Sequence, residues 1–354
     1  MRRTAVTFAL AIAALLALSG TASAATWHVW PGQSIQRAIR HASPGDRIIV
    51  HRGVYHQNLT IRKSHLTLIG RHAVLRQPAH PRGFCAQASA PEVDGICVIG
   101  KVDSNFNPLR PTVGTTIRGF TVKRFHGDGI FMFNVAHSRI IGNVAAHNSG
   151  YGIAGFVQHG GAYLWNRSHD NAEPGLYLGD SPHADYVIAH NTVYRNQYGV
   201  FIRHSAHGRV HDNRAWGNCV GMFLLDDGEQ GGLHNMTLWN NRMRANDKAC
   251  AADDEGGPPL SGVGLLMVGA RRTLVTHNWI TRNKPGGDSA ISAGLVLISA
   301  KFGGGSGFDP RHDTIARNTI TGNSPLDVFY DESGSDVHFP GNTCNTSQPS
   351  WICN

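Results

Sequence analysis

"NVAAHNSGYGIAGF", residues 143–156, sets two asparagines five positions apart and follows them with a glycine and a short apolar run. The same Asn-x4-Asn unit returns at Asn166/Asn171, Asn191/Asn196, Asn213/Asn218, Asn241/Asn246, Asn278/Asn283 and Asn318/Asn323. After each of the first six units come a glycine and a strand-like run: "GIAGF", "GLYLG", "GVFIR", "GMFLL", "GLLMV" and "GLVLI", with an earlier "GIFMF" at Gly129. Glycines 129, 152, 175, 199 and 221 are separated by 23, 23, 24 and 22 residues. A period of this size marks a chain built of stacked, self-similar units.

A helical unit would need ten or more residues at a 3.6 period, whereas these runs alternate over four or five residues between Gly and Asn breakers. Short strands follow. One repeat then makes one turn of a coil with three strands, each paired in parallel with its equivalent about 4.8 Å away in the next turn. The expected fold is therefore all-β, a right-handed parallel β-helix with a short N-terminal capping helix.

Columns of like residues fit this register. One position after each glycine stand Ile130, Ile153, Leu176, Val200, Met222, Leu265 and Leu295, and two positions later Met132, Gly155, Leu178, Ile202, Leu224, Met267 and Leu297. A third column, three residues before each first asparagine, runs Ile140, Tyr163, Ile188, Val210, Leu238, Val275 and Ile315. All three are expected to point inward, and the asparagines to stack amide on amide at the corners.

The ends are expected to be covered, because an open stack exposes unpaired strand edges. In "SIQRAIRHASPGD", Ser34 caps a helix whose Ile35, Ala38, Ile39 and Ala42 share one face and which Pro44-Gly45 stops. Residues 1–24 have the order of a cleaved secretory leader: Arg2-Arg3, an apolar run, then Ala22-Ser23-Ala24. Residues 25–354 are expected to form one exported domain, with a cap over 25–45, coils over 46–343 and a disulfide-closed end over 344–354. Six cysteines in an exported chain suggest local pairs, Cys85 with Cys97, Cys219 with Cys250 and Cys344 with Cys353.

The formal charge of +8 becomes +6 without the two leader arginines. That excess favours acidic partners. The expected partner is polysaccharide or cell-wall glycan, with neither nucleic acid nor stable membrane insertion, and the chain is expected to be a monomer.

The stretch "WHVWPGQSIQRAIRHASPGDRIIVHRGVYHQNLTIRKSHLTLIG", residues 27–70, together with the Asn-x4-Asn units, resembles secreted parallel β-helix proteins of the pectate-lyase superfold. It is most similar in type to bacterial NosD-like repeat proteins of actinobacterial kind. The resemblance implies the fold, not one chemistry, since lyases, hydrolases, epimerases and non-catalytic proteins share it. Related mannuronan epimerases carry an Asp-Pro-His-Asp run; "GFDPRHD" offers Asp309, Pro310, His312 and Asp313 but inserts Arg311. Asp226-Asp227 matches the paired aspartate of polygalacturonases, whose other signatures are missing.

Register brings chemistry together at one column. Five residues after the glycines come Asn134, Val157, Asp180, His204, Asp226, Gly269 and Ser299, so three consecutive turns offer Asp180, His204 and Asp226. Arg203, Asp227 and Glu229 lie beside them. The expected roles are acid/base work or calcium ligation for Asp226 or Asp227, proton transfer for His204 and a substrate carboxylate for Arg203. Tyr177, Phe201 and Phe223 face outward on the same turns, either to stack on sugar rings or to be covered by loops. Insertions at 251–261, 285–293, 227–233 and 300–313 flank this strand. His137, His183 and His207, with His159 nearly in step, form a column for a transition metal or for stacking. Two functions remain open: an enzyme that cleaves or epimerises acidic polysaccharide, and a rigid module that binds glycan.

Overall fold

A computed structural model describes residues 24–88, 91–229, 232–252 and 257–353. All of the expected leader except Ala24 lies outside them. Strands pair in parallel with their equivalents one turn away, which joins the coils into one continuous 29-stranded sheet, and a separate antiparallel pair, Lys101–Val102 with Pro108–Arg110, lies outside it. The fold is the expected right-handed parallel β-helix.

Three strand faces run along it. The site face passes through Ile96–Ile99, the start of Ile130–Ile141, the start of Ile153–Leu164, Leu176–Ser181, Tyr198–Ser205, Val220–Leu225, Val263–Val268, Leu295–Ile298 and Val328–Tyr330. A second face includes Tyr186–Ala189, Arg209–His211, Thr237–Trp239, Leu274–Thr276 and Thr314–Ala316. The third includes Val144–Ala146, Arg167–His169, Thr192–Tyr194, Arg214–Trp216, Arg242–Arg244, Trp279–Thr281 and Thr319–Thr321.

All three apolar columns hold in register: Ile153 pairs with Leu176, Leu176 with Val200, Val200 with Met222, Met222 with Leu265 and Leu265 with Leu295. Their members are buried in one core running the length of the molecule. The glycine before each run is a steric requirement. A Cβ on Gly129, Gly152, Gly199, Gly221 or Gly264 would collide with the carbonyl of the glycine one turn on.

Between the second and third faces, Asn166 Oδ1 accepts from the backbone N–H of Asn143 at 3.0 Å and from its Nδ2 at 3.2 Å, while Asn166 Nδ2 donates to the Ile140 carbonyl at 2.8 Å. The pattern repeats through Asn191, Asn213, Asn241, Asn278 and Asn318 to Asn342. A second ladder, from Asn148 to Asn323, ends on Asp327. The residue before each ladder asparagine makes the turn in the left-handed region, as at Asp170, His190, Arg195 and Asp212.

At the N-terminal end, Ser34 Oγ accepts from the Arg37 N–H at 3.1 Å and the helix Ile35–His41 buries Ile35, Ala38 and Ile39. Pairing starts earlier than the expected coil boundary at 46, because Thr26–Val29 already pairs with Arg47–Val50. At the other end, Ser347–Gln348 adds to Val328–Tyr330 beside the Cys344–Cys353 disulfide. Cys85–Cys97 and Cys219–Cys250 are also bonded, with Cα atoms 6.4 and 5.9 Å apart. Among the described residues no helix is long and apolar enough to cross a membrane.

Candidate functional site

The corner between the site face and the second face carries no asparagine ladder. There the turn is made by Asn134, Val157, Asp180 and His204, all with left-handed backbone. His204 sits directly in line with Asp180, since Gly179 pairs with Arg203 and Ser181 with Ser205. Its ring is clamped: Nδ1 meets Asp180 Oδ1 at 3.1 Å, and Nε2 meets Asp227 Oδ1. Arg203 donates through Nη2 to Asp227 Oδ2 at 2.9 Å and to Glu229 Oε1 at 3.2 Å.

Exposure sorts these groups. The His204 side chain is 0% exposed, Arg203 26%, Asp227 31%, Asp180 47% and Glu229 65%. Burial alone disfavours the imidazolium, but the hydrogen bonds to Asp180 and Asp227 outweigh it, and the pKa of His204 is raised. Burial likewise opposes ionisation of Asp227, yet His204 and Arg203 hold its pKa below the usual value. His204 therefore positions the carboxylates around it. With both nitrogens engaged and no exposed surface, it is not placed for the expected proton transfer to a substrate.

Asp226 keeps the expected column along the backbone, since Leu225 pairs with both Arg203 and Val268, but its side chain does not join the cluster. The loop from Asp227 leaves the coil immediately after it, and Asp226 does not take the left-handed turn made by His204 one rung below. Its fully buried carboxylate accepts from Arg271 Nη2 at 2.9 Å and the Leu233 N–H at 2.9 Å. This corrects its assignment to acid/base work or calcium ligation: Asp227, not Asp226, completes the cluster.

The expected sugar-stacking rings are mostly covered. Phe223 and Tyr177 are 8% and 3% exposed and offer no free face; Phe201 is half-buried and stacks on Phe223 at 4.8 Å. Leu260 and Ala293, from the two insertions before the strand, close over Phe223 in a small apolar cluster. The loops thus shield Phe223, whereas Tyr177 packs against Tyr151, Phe156 and Phe201.

The Asp309–Asp313 stretch does not assemble a site. Asp309 pairs with Lys301 at 3.0 Å and Ser299 at 2.6 Å, His312 turns to Asp336, and Asp313 is buried against the Thr273 N–H at 2.8 Å. Burial pushes Asp313 up to about 7. The calcium expectation meets a poor donor set, because the convergent atoms belong to Asp180, His204 and Glu229 and include an imidazole nitrogen, while Arg203 already neutralises Glu229. Among the described residues, the expected His137, His183 and His207 column is not one of the convergent groups.

Beside Glu229 lies a feature that spacing along the chain did not disclose. A cavity of about 490 Å³ is lined by Glu229, His234, Arg271, Arg272, Phe308, Arg311 and His312. His234, Arg271 and Arg311 occupy one bridged column across three turns. They sit 13, 7 and 17 residues after Gly221, Gly264 and Gly294, because loops of unequal length follow the strands. Counting back from the asparagines would reveal the column, since His234, Arg271 and Arg311 each stand seven residues before the first asparagine of their turn, Asn241, Asn278 and Asn318. Arg271 is anchored by Asp226 and lies 3.8 Å over the Phe308 ring, while Arg272 and Arg311 are exposed.

Residues 109–344 match the family described as "Right handed beta helix region". No curated protein matches the chain in sequence. Similar solved structures include the A-module of Azotobacter vinelandii mannuronan C-5 epimerase AlgE4, 16% identical over 86% of this chain and 90% of that one, with a TM-score of 0.55. The Yersinia enterocolitica family 28 exopolygalacturonase is 12% identical over 91% and 76%, with a TM-score of 0.57. PfbA, a surface adhesin of Streptococcus pneumoniae, is 10% identical over 88% and 85%, also at 0.57. At these identities the likeness is one of fold.

Proposed function

The chain belongs to the right-handed β-helix family, and on that scaffold we propose that it binds an acidic polysaccharide across the corner occupied by Asp180, Arg203, His204, Asp227 and Glu229. The observation that supports this most is the arginine-lined cavity immediately beside exposed carboxylates. Arg272 and Arg311 offer planar, multidentate donors to uronate carboxylates, and Asp180 and Glu229 accept from sugar hydroxyls. The similar structures are named for action on mannuronan, for polygalacturonase activity and for adhesion, which is consistent with such a ligand. Burial of His204 favours binding over turnover, since its proton has no open path to a bound sugar. Three disulfides fit an exported protein, as these bonds persist outside the reducing cytosol.

The test is retention on immobilised polygalacturonate and alginate against a neutral glycan, at low and high salt. Salt-sensitive retention on the acidic polymers, lost in an Arg272→Ala/Arg311→Ala double variant, is expected. Equal behaviour on neutral glycan, or unchanged retention in the variant, rules the proposal out. Release of reducing or unsaturated ends, or inversion of uronates, would replace binding with catalysis.

A further inference from the structure

At two other corners, imidazoles and a carboxylate from adjacent turns converge. His147 gathers with His169 and Asp170, and His190 with His211 and Asp212; within each group one ligand atom per residue lies within 4.8 Å of the others. Both groups have the same origin. A histidine in the left-handed position before a ladder asparagine stands over an aspartate in that position one turn on, and a strand-ending histidine precedes the aspartate.

What holds the carboxylate separates them. Asp170 is taken by Arg195, whose Nε and Nη2 donate to its two oxygens at 2.6 and 2.8 Å. Among the described residues, the Asp212 carboxylate has one side-chain partner, the Nδ1 of His211 at 2.7 Å. We propose that His190, His211 and Asp212 form a binding site for a divalent transition ion of the zinc and copper class.

Two imidazole nitrogens and one carboxylate oxygen form a donor set suited to such ions, with further positions left to water. An ion about 2.1 Å from each donor in tetrahedral geometry needs those donors about 3.4 Å apart. The present separations are therefore at most about 1.4 Å too wide, which side-chain rotation can close. The His190 side chain is exposed, while its backbone N–H is fixed on the His211 carbonyl at 3.2 Å. Tryptophans bracket the pair: Trp165 stacks on His190 with centroids 5.1 Å apart, and Trp239 on His211 at 4.2 Å. These rings limit the swing of the imidazoles. They also provide a local optical probe.

The experiment titrates zinc alone into metal-free full-length protein against a chromogenic chelator, comparing the natural chain with His190→Ala and Asp212→Asn. Either variant should lose one equivalent of zinc or bind it at least tenfold more weakly, with an unchanged circular dichroism spectrum. Copper(II) should quench tryptophan emission, and Trp239→Phe should remove part of that quenching. Wild-type zinc stoichiometry and affinity in both variants would overturn the proposal. Loss of the ion on Asp180→Asn instead would do so equally, by placing it at the carboxylate corner.

Discussion

Replacing Asn213 with alanine tests whether the amide ladder stabilises the coil or merely accompanies it. Asn213 is fully buried. Its Oδ1 accepts from the N–H and the Nδ2 of Asn191, both at 2.9 Å, and its Nδ2 donates to the Ile188 carbonyl at 2.8 Å and to Asn241 Oδ1 at 3.0 Å. In the variant, the Asn191 N–H loses its acceptor in the interior, which costs about 1–3 kcal/mol. The Ile188 carbonyl loses a donor, adding about 0.5–1 kcal/mol. Asn191 Nδ2 keeps the Tyr163 carbonyl, and Asn241 Oδ1 keeps the backbone N–H of residue 213, so neither is stranded. With the small cavity left behind, the expected loss is about 2–4 kcal/mol. Urea unfolding followed by circular dichroism should show a lower midpoint with an unchanged slope. A loss below about 1 kcal/mol would show that these bonds merely replace equally good contacts with water.

Other outcomes follow from the buried charges. Because the folded pKa of His204 is raised, its stabilisation is complete below about pH 6.5 and fades as pH rises through the higher folded value; thermal melts of the natural chain should drop more steeply above about pH 6.5 than those of His204→Gln, and parallel curves would refute the clamp. Asp313, raised to about 7, also stabilises only while protonated, so stability contributed there falls as pH climbs from about 4 through 7. Asp313→Asn should therefore gain about 2–4 kcal/mol at pH 8 relative to its effect at pH 5 in denaturant titrations. Asp226→Ala should destabilise by about 3–5 kcal/mol by leaving Arg271 without its buried partner, whereas Asp180→Asn should stay within about 0.5 kcal/mol in the same melts. Comparable losses in both would erase the distinction drawn between the two aspartates.

The coil was legible because its physics repeats. Each turn must bury the same apolar positions, pair the same corner amides and pass a glycine where carbonyls crowd, so Leu176, Val200 and Met222 or Asn191, Asn213 and Asn241 mark their own alignment. The site was legible only up to the first insertion. Asp180, Arg203 and His204 fall where counting from the glycine puts them, but Asp226 is the last residue before the chain departs, and one step of the loop delivers Asp227 to the ring instead. Arg271 and Arg311 share a column that intervals counted forward from the glycine conceal, because a loop adds residues without adding a rung. Loop cover over Phe223 was one of the two readings the sequence left open, and the choice between them depends on where Leu260 and Ala293 come to rest.

This division explains why the corner of Asp180 and His204 can vary from rung to rung. At the two laddered corners, the inner position must donate to one neighbouring turn and accept from the other, and asparagine supplies both functions in one short side chain. Substitution there disturbs two rungs at once, so these positions are bound to the fold. At the third corner the turn is made without such a ladder, and its column runs through Asn134, Val157, Asp180, His204 and Gly269 with the backbone still left-handed. Side chains of unlike chemistry are compatible with the same turn there. That corner can carry a carboxylate on one rung and an imidazole on the next because the stack does not depend on either.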